Sequence, residues 1–351
     1  MKKVLIILFV FFYTALSAQD DIVVTKYPRS AGDSLRANYI KPFPDHFFLW
    51  PVIKQRKLAF ELERITDGDR RVAFESNKPY SFGVGLYVFE LALELAFAVP
   101  LDEQSKYIYG ESSARDIQLN VLGKKWGSDL YYQKYSGFYI NDGARKVASG
   151  TPFPQRPDIT TRNYGVSINY TFNYNKFSFR SAYNYIERQL RSSGSFLLVS
   201  SLNSFRAAAD SALLGQTYQS EFGIDSKIKS IQVTSLSLAP GYTYSLIYKG
   251  FFLNGALAVG PSHNWITYTP DDAKPKHDIR FNAYVSARIG LGYNGDYIFG
   301  GISFMSQANT AKFETARLSS ANNLFKILIG YRFREFGVLK KRVWDIPKHL
   351  F

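Results

Sequence analysis

Between Asn163 and Asn173 the chain alternates without a break. Tyr164, Val166, Ile168, Tyr170 and Phe172 fall on one parity, and Gly165, Ser167, Asn169 and Thr171 on the other. A period of two sends the parities to opposite faces of a strand and has no use in a helix. Ile117, Leu119 and Val121 oppose Asp116, Gln118 and Asn120 in the same way. The longest run covers 279–292, where Ile279, Phe281, Ala283, Val285, Ala287, Ile289 and Leu291 form one row. Arg280, Asn282, Tyr284, Ser286, Arg288 and Gly290 form the other. That run exceeds an average globular strand, whereas a tilted strand crosses a bilayer in about 9–11 residues and can overshoot it. Similar alternation covers 82–88, 91–98, 235–246 and 325–333. The polar rows are mostly Gly, Ser, Ala, Asn and Thr, which suits a narrow wet or packed lumen better than the charged outside of a soluble sandwich.

Turn residues sort these runs into hairpins. Short connections are expected at 89–90, 124–127, 173–176, 248–250 and 294–296, and longer polar ones at 100–112, 141–161, 215–229, 261–277 and 309–321. Short turns on one side and long loops on the other are the asymmetry of bacterial barrels. The candidate strands are 58–66, 80–88, 91–99, 114–122, 128–139, 162–173, 177–188, 194–206, 230–247, 251–260, 278–293, 297–308 and 322–333. The expected fold is therefore all-β: a transmembrane antiparallel up-and-down β-barrel of about 12 strands, with 10 or 14 as alternatives, over residues 58–333.

Composition narrows the rest. With 46% hydrophobic and 21% charged residues the 351-residue chain is not a disordered tail. Cys is absent, which excludes a disulfide scaffold and thiolate metal sites. Lys2 and Lys3, the apolar run from Val4 to Tyr13 and the small residues Ala15 to Ala18 read as a signal peptide, residues 1–18, cut after Ala18. Residues 19–57, rich in Pro and aromatics, are expected to be a periplasmic extension or a plug, and residues 334–351 a tail without alternation. Trp126, Trp265, Tyr268 and Tyr139 are candidates for interfacial aromatic girdles.

Three stretches carry a family likeness. Residues 78–87 (Lys-Pro-Tyr-Ser-Phe-Gly-Val-Gly-Leu-Tyr), 192–198 (Ser-Ser-Gly-Ser-Phe-Leu-Leu) and 238–244 (Leu-Ala-Pro-Gly-Tyr-Thr-Tyr), the last followed by Gly260-Pro261, are Gly-and-aromatic strand patterns. On these the chain resembles the Bacteroidetes outer-membrane family of domain of unknown function 4421, from about Asp20 to Phe333. The resemblance implies an outer-membrane barrel, with Phe333 as its closing aromatic, and brings no catalytic residues with it.

Candidate chemistry is sparse. Asp271, Asp272, His277 and Asp278 pair Asp with His as outer-membrane aspartyl-type proteases do, yet all four fall in one hydrophilic stretch that reads as a solvated loop. Ser262, His263 and Asn264 have the residue types of an outer-membrane phospholipase triad, but consecutive residues on an extended chain point to opposite faces. Gly83-Val84-Gly85 continues a strand, so it is not a nucleotide loop; the glycines relieve crowding in a curved wall. If the apolar rows face lipid, the lumen-facing charges are Glu94, Asp116, Arg180, Arg280, Arg288, Lys326 and Arg332. Such a basic majority would favour anions, unless the groups pair with one another and with tyrosine hydroxyls as a packed polar core.

The function expected from the sequence is a non-enzymatic outer-membrane barrel, structural or a passive small-solute pore with an anion bias. An outer-membrane hydrolase, protease or phospholipase, using loop Asp and His residues is the alternative. No cofactor or metal is expected. The partners are outer-membrane lipid and lipopolysaccharide and the barrel-assembly machinery, and nucleic acid is not among them.

Overall fold

The computed structural model describes residues 31–44, 46–65, 70–88, 91–271, 273–313 and 315–334. The segment 1–18 expected to be a signal peptide and the part of the expected tail 334–351 beyond Arg334 lie outside these residues. The strands are β1 (Ile40–Pro42), β2 (His46–Arg64), β3 (Arg70–Glu75), β4 (Ser81–Val88), β5 (Leu91–Ala98), β6 (Ser113–Leu122), β7 (Trp126–Asn141) and β8 (Gln155–Thr171). They continue with β9 (Glu187–Gln189), β10 (Ser193–Ala208), β11 (Ile228–Tyr248), β12 (Phe251–Pro270), β13 (Lys276–Asn294), β14 (Ile298–Phe313) and β15 (Ala316–Arg334). Short helices α1 (Ala31–Ala37), α2 (Glu103–Tyr109) and α3 (Gln219–Phe222) lie outside the wall.

Every ladder is antiparallel, and β2 zips onto β15 from His46↔Arg334 to Arg64↔Ala316, which closes the barrel. The hydrogen-bonded ring runs β2-β15-β14-β13-β12-β11-β10-β8-β7-β3 and back to β2, so it has ten strands, one of the expected counts. β4, β5 and β6 lie outside that ring. They arise because β3 and β4 share one edge of β2: β3 pairs with residues 60–64 and β4 with residues 48–54. β3 goes on to β7, whereas β4 pairs with β5, and β6 hangs on the lower part of β7. Taking β4, β5 and β6 in place of β3, the short-turn half of the wall presents twelve strands, with one seam between β5 and β6 that carries no ladder.

Three sequence expectations are corrected. The first wall strand starts at His46 and not near 58; Pro51, which cannot donate to a ladder, sits mid-strand opposite Val84 and breaks the sequence pattern. The expected strand 177–188 is not in the wall; it turns inward with a five-residue π-helix at Arg180–Asn184 and the short β9. Residues 261–270 and 309–313, read as loops, extend β12 and β14.

The extensions keep the alternation and exchange its polarity. On β12, Leu253, Leu257 and Val259 point outward and are exposed, while Asn254, Ser262 and Asn264 are buried inside. Past Trp265 the same inward parity carries Ile266 and Tyr268, both buried, and the outward parity carries Thr267 and Thr269. β11 does the same, with Leu236, Leu238 and Leu246 exposed over buried Ser235, Ser237 and Ser245, and then buried Ile231 and Val233 on the same inward parity at its other end. One half of the wall is thus apolar outside and polar inside, as hydrocarbon requires, and the other is a water-type barrel with an apolar core.

Two apolar clusters fill the ends. The loop end holds Leu58, Phe60, Phe74, Phe205, Ile266 and Phe313 among others, under a lid of Leu213, Leu214, Tyr218 and Phe222 from the β10–β11 connection. The short-turn end holds Phe43, Phe48, Trp50, Phe252 and Phe299 packed on Phe177, Phe179, Tyr183 and Tyr185 of the inward segment. β1 pairs with β9, and Arg36 of α1 donates to both Glu187 oxygens at 2.8 and 2.9 Å, so residues 31–44 and 173–192 form one plug. Of the expected girdle residues, Trp126 and Trp265 face outward, Tyr268 is buried inside, and Tyr139, on the outer parity after the β7 bulge, is buried against Tyr109 and Phe153.

The polarity exchange predicts position-dependent tolerance. Leu257→Arg, on the outward face of the apolar belt, should destabilise the inserted barrel by about 2–4 kcal/mol. Thr269→Arg, on the same parity of the same strand beyond the belt, should change stability by less than about 0.5 kcal/mol. Urea unfolding in lipid vesicles distinguishes them, and equal costs would contradict the assigned boundary.

Candidate functional site

Between the two apolar ends lies a layer of inward-facing polar and charged side chains. On β2 the inward parity runs Phe48, Trp50, Val52, Lys54, Arg56, Leu58, so two cations stand where the apolar ends leave a gap. Arg56 donates to Asp116 of β6 at 2.6 Å and also to Gln118. Lys78 reaches the other Asp116 oxygen at 3.3 Å and the Tyr135 hydroxyl at 3.0 Å, and that hydroxyl donates to Asp116 at 3.0 Å. Lys54 and Lys326 face each other across the closing ladder. Glu94 of β5 bridges them at 3.6 and 3.1 Å and accepts from the Trp50 indole at 3.1 Å. Trp50 lies flat across Gly85, where a Cβ would come within 1.9 Å of the indole, so this glycine is required by a close approach.

On the far wall Arg288 donates to Asp129 at 2.6 Å. Gln133 donates to Asn322 at 3.2 Å, Asn163 donates to Gln133 at 2.7 Å, and Asn203 donates to Asn163 at 2.6 Å and to the Tyr131 hydroxyl at 2.8 Å. These interior cations, Lys54, Arg56, Lys78, Arg288 and Lys326, all touch one of three carboxylates, Glu94, Asp116 or Asp129. A cavity of about 10 Å³ beside Arg288, near Phe179 and Leu197, has room for about one water. A larger cavity of about 500 Å³ opens where β3 and β4 part, lined by Lys57, Asn77, Lys78, Asp102, Ser105 and Tyr139.

Of the residues singled out from sequence, Glu94, Asp116, Arg288 and Lys326 lie in this layer. Arg332 is fully buried at the short-turn end, donating to the backbone oxygens of Gly295 and Tyr185 and to Asn294 Oδ1 at 2.6–2.7 Å, with Phe43, Phe48 and Phe299 around its guanidinium. Arg180 belongs to the plug, 3.5 Å from Glu187, and not to a wall strand. Arg280 is outside the lumen: β13 has risen above the polar layer there, and the side chain is exposed and held by Asp278 at 2.8 Å. Lys54, Arg56, Lys78 and Asp129 were missed, and for the first two the obstacle was Pro51, which hid the β2 parity.

The residues considered for hydrolysis do not converge. Ser262 and Asn264 are buried inside, with Ser262 Oγ donating to Asn264 Oδ1 at 2.8 Å, while His263 points outward against the Trp265 and Phe281 rings. His277 Nδ1 lies 3.0 Å from the Thr267 hydroxyl, Asp278 is engaged by Arg280, and Asp271 faces Lys229 at 3.5 Å. Asp272 lies outside the described residues. Among the described residues no three His, Asp or Glu side chains gather as metal ligands.

At the loop end Arg70 binds both Asp142 oxygens at 2.5 and 2.6 Å and also Glu221, which Arg145 shares. The cluster ties β3 and the β7–β8 connection to α3 in the lid. Hydrogen bonds from Arg70 hold the Asp142 pKa down at about 2, against an ordinary 3.8.

A closed antiparallel wall with lipid-type alternation, a plugged short-turn end and a filled interior defines a β-barrel of the outer-membrane type. The chain belongs to the family described as Domain of unknown function (DUF4421), which it matches over residues 32–333. No curated protein matches it. Among solved structures it is similar to the translocator domain of the autotransporter NalP from Neisseria meningitidis, at TM-score 0.31 and 8% identity over 82% of this chain and 88% of that one. The transport unit of the autotransporter AIDA-I from Escherichia coli gives 0.29 and 9% over 92% and 97%. The attachment invasion locus protein Ail of Yersinia pestis gives 0.23 and 14% over 60% and 97%.

Two outcomes are expected of this network. Asp116→Ala leaves Arg56 and Lys78 without their carboxylate and should cost about 3–5 kcal/mol in urea unfolding. An Arg56→Met, Lys78→Met, Asp116→Leu triple variant, which removes both cations with their carboxylate, should recover most of that loss. At the loop end, the depressed Asp142 pKa contributes stability above the unfolded value near 3.8 that is lost as pH falls towards about 2. Proteolysis of the β10–β11 lid should therefore be flat from neutral pH to about 4 and rise between about 4 and 2, and Asp142→Asn should show the fast rate already at neutral pH.

Proposed function

We propose that this chain is a non-enzymatic outer-membrane barrel with a structural role, its loop end facing the cell exterior and its interior sealed. The observation that carries this reading is the complete sharing of Glu94, Asp116 and Asp129 among the five interior cations, between two apolar ends. The polar layer between those ends offers an anion no unpaired cation to bind, and its polar groups are consumed in holding the walls together. That favours the structural reading over the passive pore. For the hydrolase, the separation of Ser262 and Asn264 from His263 across the wall supplies no nucleophile and base on one side.

Planar-bilayer recording of the purified full-length protein tests the sealed interior. The native chain should give no steady unitary conductance, and replacing residues 174–190 by a Gly-Ser linker should produce openings. Steady anion-selective steps from the native chain would overturn the sealed reading. Hydrolysis of a peptide or phospholipid that disappeared in His277→Ala would overturn the non-enzymatic one.

A further inference from the structure

The ladder registers bring four basic residues into one rung. Arg115 of β6 lies opposite Lys134 of β7, Lys134 opposite Arg162 of β8, and Arg162 opposite Arg206 of β10. Their chain neighbours Asp116, Gln133, Thr161, Asn163, Phe205 and Ala207 all point into the barrel, so the four cations point out. Three are exposed and Lys134 is half-buried, and among the described residues none has an ion-pair partner. Cβ atoms of directly opposed residues lie about 4.5–5.5 Å apart, and like charges so placed repel. Three successive repulsive pairs on adjacent strands are a cost that the fold itself does not offset.

Their height on the wall says what does. The rung continues around the barrel as Gln232, Thr267 and His277, none of them apolar. One step towards the short-turn end, the outward rung reads Ile117, Tyr132, Tyr164, Ser204 and Thr234, followed by Trp265 and Ile279. The next reads Leu119, Leu130, Val166, Leu202 and Leu236. The basic arc therefore stands on the boundary where the outward face changes from apolar to polar, and it is confined to β6, β7, β8 and β10.

From this we infer that Arg115, Lys134, Arg162 and Arg206 form a binding site for the phosphorylated headgroup of an outer-leaflet glycolipid, whose acyl chains lie on the apolar columns beneath them. The apolar columns favour a lipid over a free anion, because only an amphipathic occupant meets both the cations and the surface directly below. Four donors on one rung suit a headgroup carrying more than one phosphate. The inference rests on the outer-membrane reading but not on the sealed lumen.

The full-length protein in phosphatidylcholine nanodiscs doped with bisphosphorylated lipid A supplies the test, with bound lipid counted by native mass spectrometry. Lipid A should be enriched on the native protein by about tenfold over its bulk fraction, whereas dephosphorylated lipid A should not be. Arg162→Gln with Arg206→Gln should remove most of the enrichment, and Arg162→Lys with Arg206→Lys should keep it. The loop variant Lys146→Gln, away from the rung, should have no effect. Heat-modifiable gel mobility reports barrel insertion separately, so a chain that fails to insert counts against the outer-membrane reading itself. Undiminished enrichment in the inserted Gln variant, equal loss in Lys146→Gln, or displacement of lipid A by millimolar inorganic phosphate would overturn the site.

Discussion

The side-chain alternation of a strand cannot change phase, whereas the medium around this wall changes from hydrocarbon to water part-way along it. Everything else follows from that constraint. A strand such as β11, 21 residues long, has to place Leu236, Leu238 and Leu246 outward in one half and Ile231 and Val233 inward in the other, without slipping register between Ser230 and Tyr248. A slip of one residue would turn both halves inside out at once. The long ladders between β11, β12 and β13 and the closing ladder between β15 and β2 enforce the register, and they also pair the backbone groups that lipid would leave unsatisfied.

The interior answers the same constraint from the other side. Where the outside is apolar the inside carries the polar residues, and charges removed from bulk water cost several kcal/mol each unless they are paired and hydrogen-bonded. Two of the three interior carboxylates are each shared by two cations, and amide side chains such as Gln133, Asn163 and Asn203 link the strands between them. Where the outside is polar the inside reverts to Phe60, Phe74 and Phe205, whose stacked and tilted rings form an ordinary core. At the short-turn end the buried Arg332 donates to backbone carbonyls that the plug and the β13–β14 turn bring to it and to Asn294 Oδ1, so plug and wall define each other's position.

How far this was legible in the sequence depended on which half of a strand was being read. The runs 163–173 and 279–292 announced themselves because their apolar row was uninterrupted and their other row was small and polar. Residues 261–270 and 309–321 look like loops in the sequence because their apolar residues leave the parity that the belt residues occupy. Ile266, Tyr268, Phe313 and Leu318 continue the alternation on the opposite parity, a signal visible in the sequence once two solvents are allowed for. The plug at 173–192 was not legible, because Phe177, Phe179 and Tyr183 alternate locally as a wall strand does and only tertiary packing turns them inward. Inward charges were found where the parity was clear, as with Glu94, Asp116, Arg288 and Lys326, and missed on β2, where Pro51 interrupts it. Nor could parity alone show that Arg280 had already left the lumen, since that depends on its height along the wall.

The branch at β2 brings these strands of argument together. Because β3 and β4 divide one edge of β2 between them, the loop half closes on ten strands while the short-turn half must span the additional width of β4, β5 and β6. Among the described residues no ladder joins β5 to β6, in the part of the wall where Leu93, Leu95 and Phe97 face outward and are exposed. Unpaired strand edges in that position are costly. Directly behind the seam, Lys54 of β2 reaches Glu94 on β5 and Arg56 reaches Asp116 and Gln118 on β6. The two free edges are thus held to a third strand by side-chain ion pairs in place of backbone rungs. On this view the inward cations of β2 are the wall's missing closure, which is why their carboxylates are fully committed.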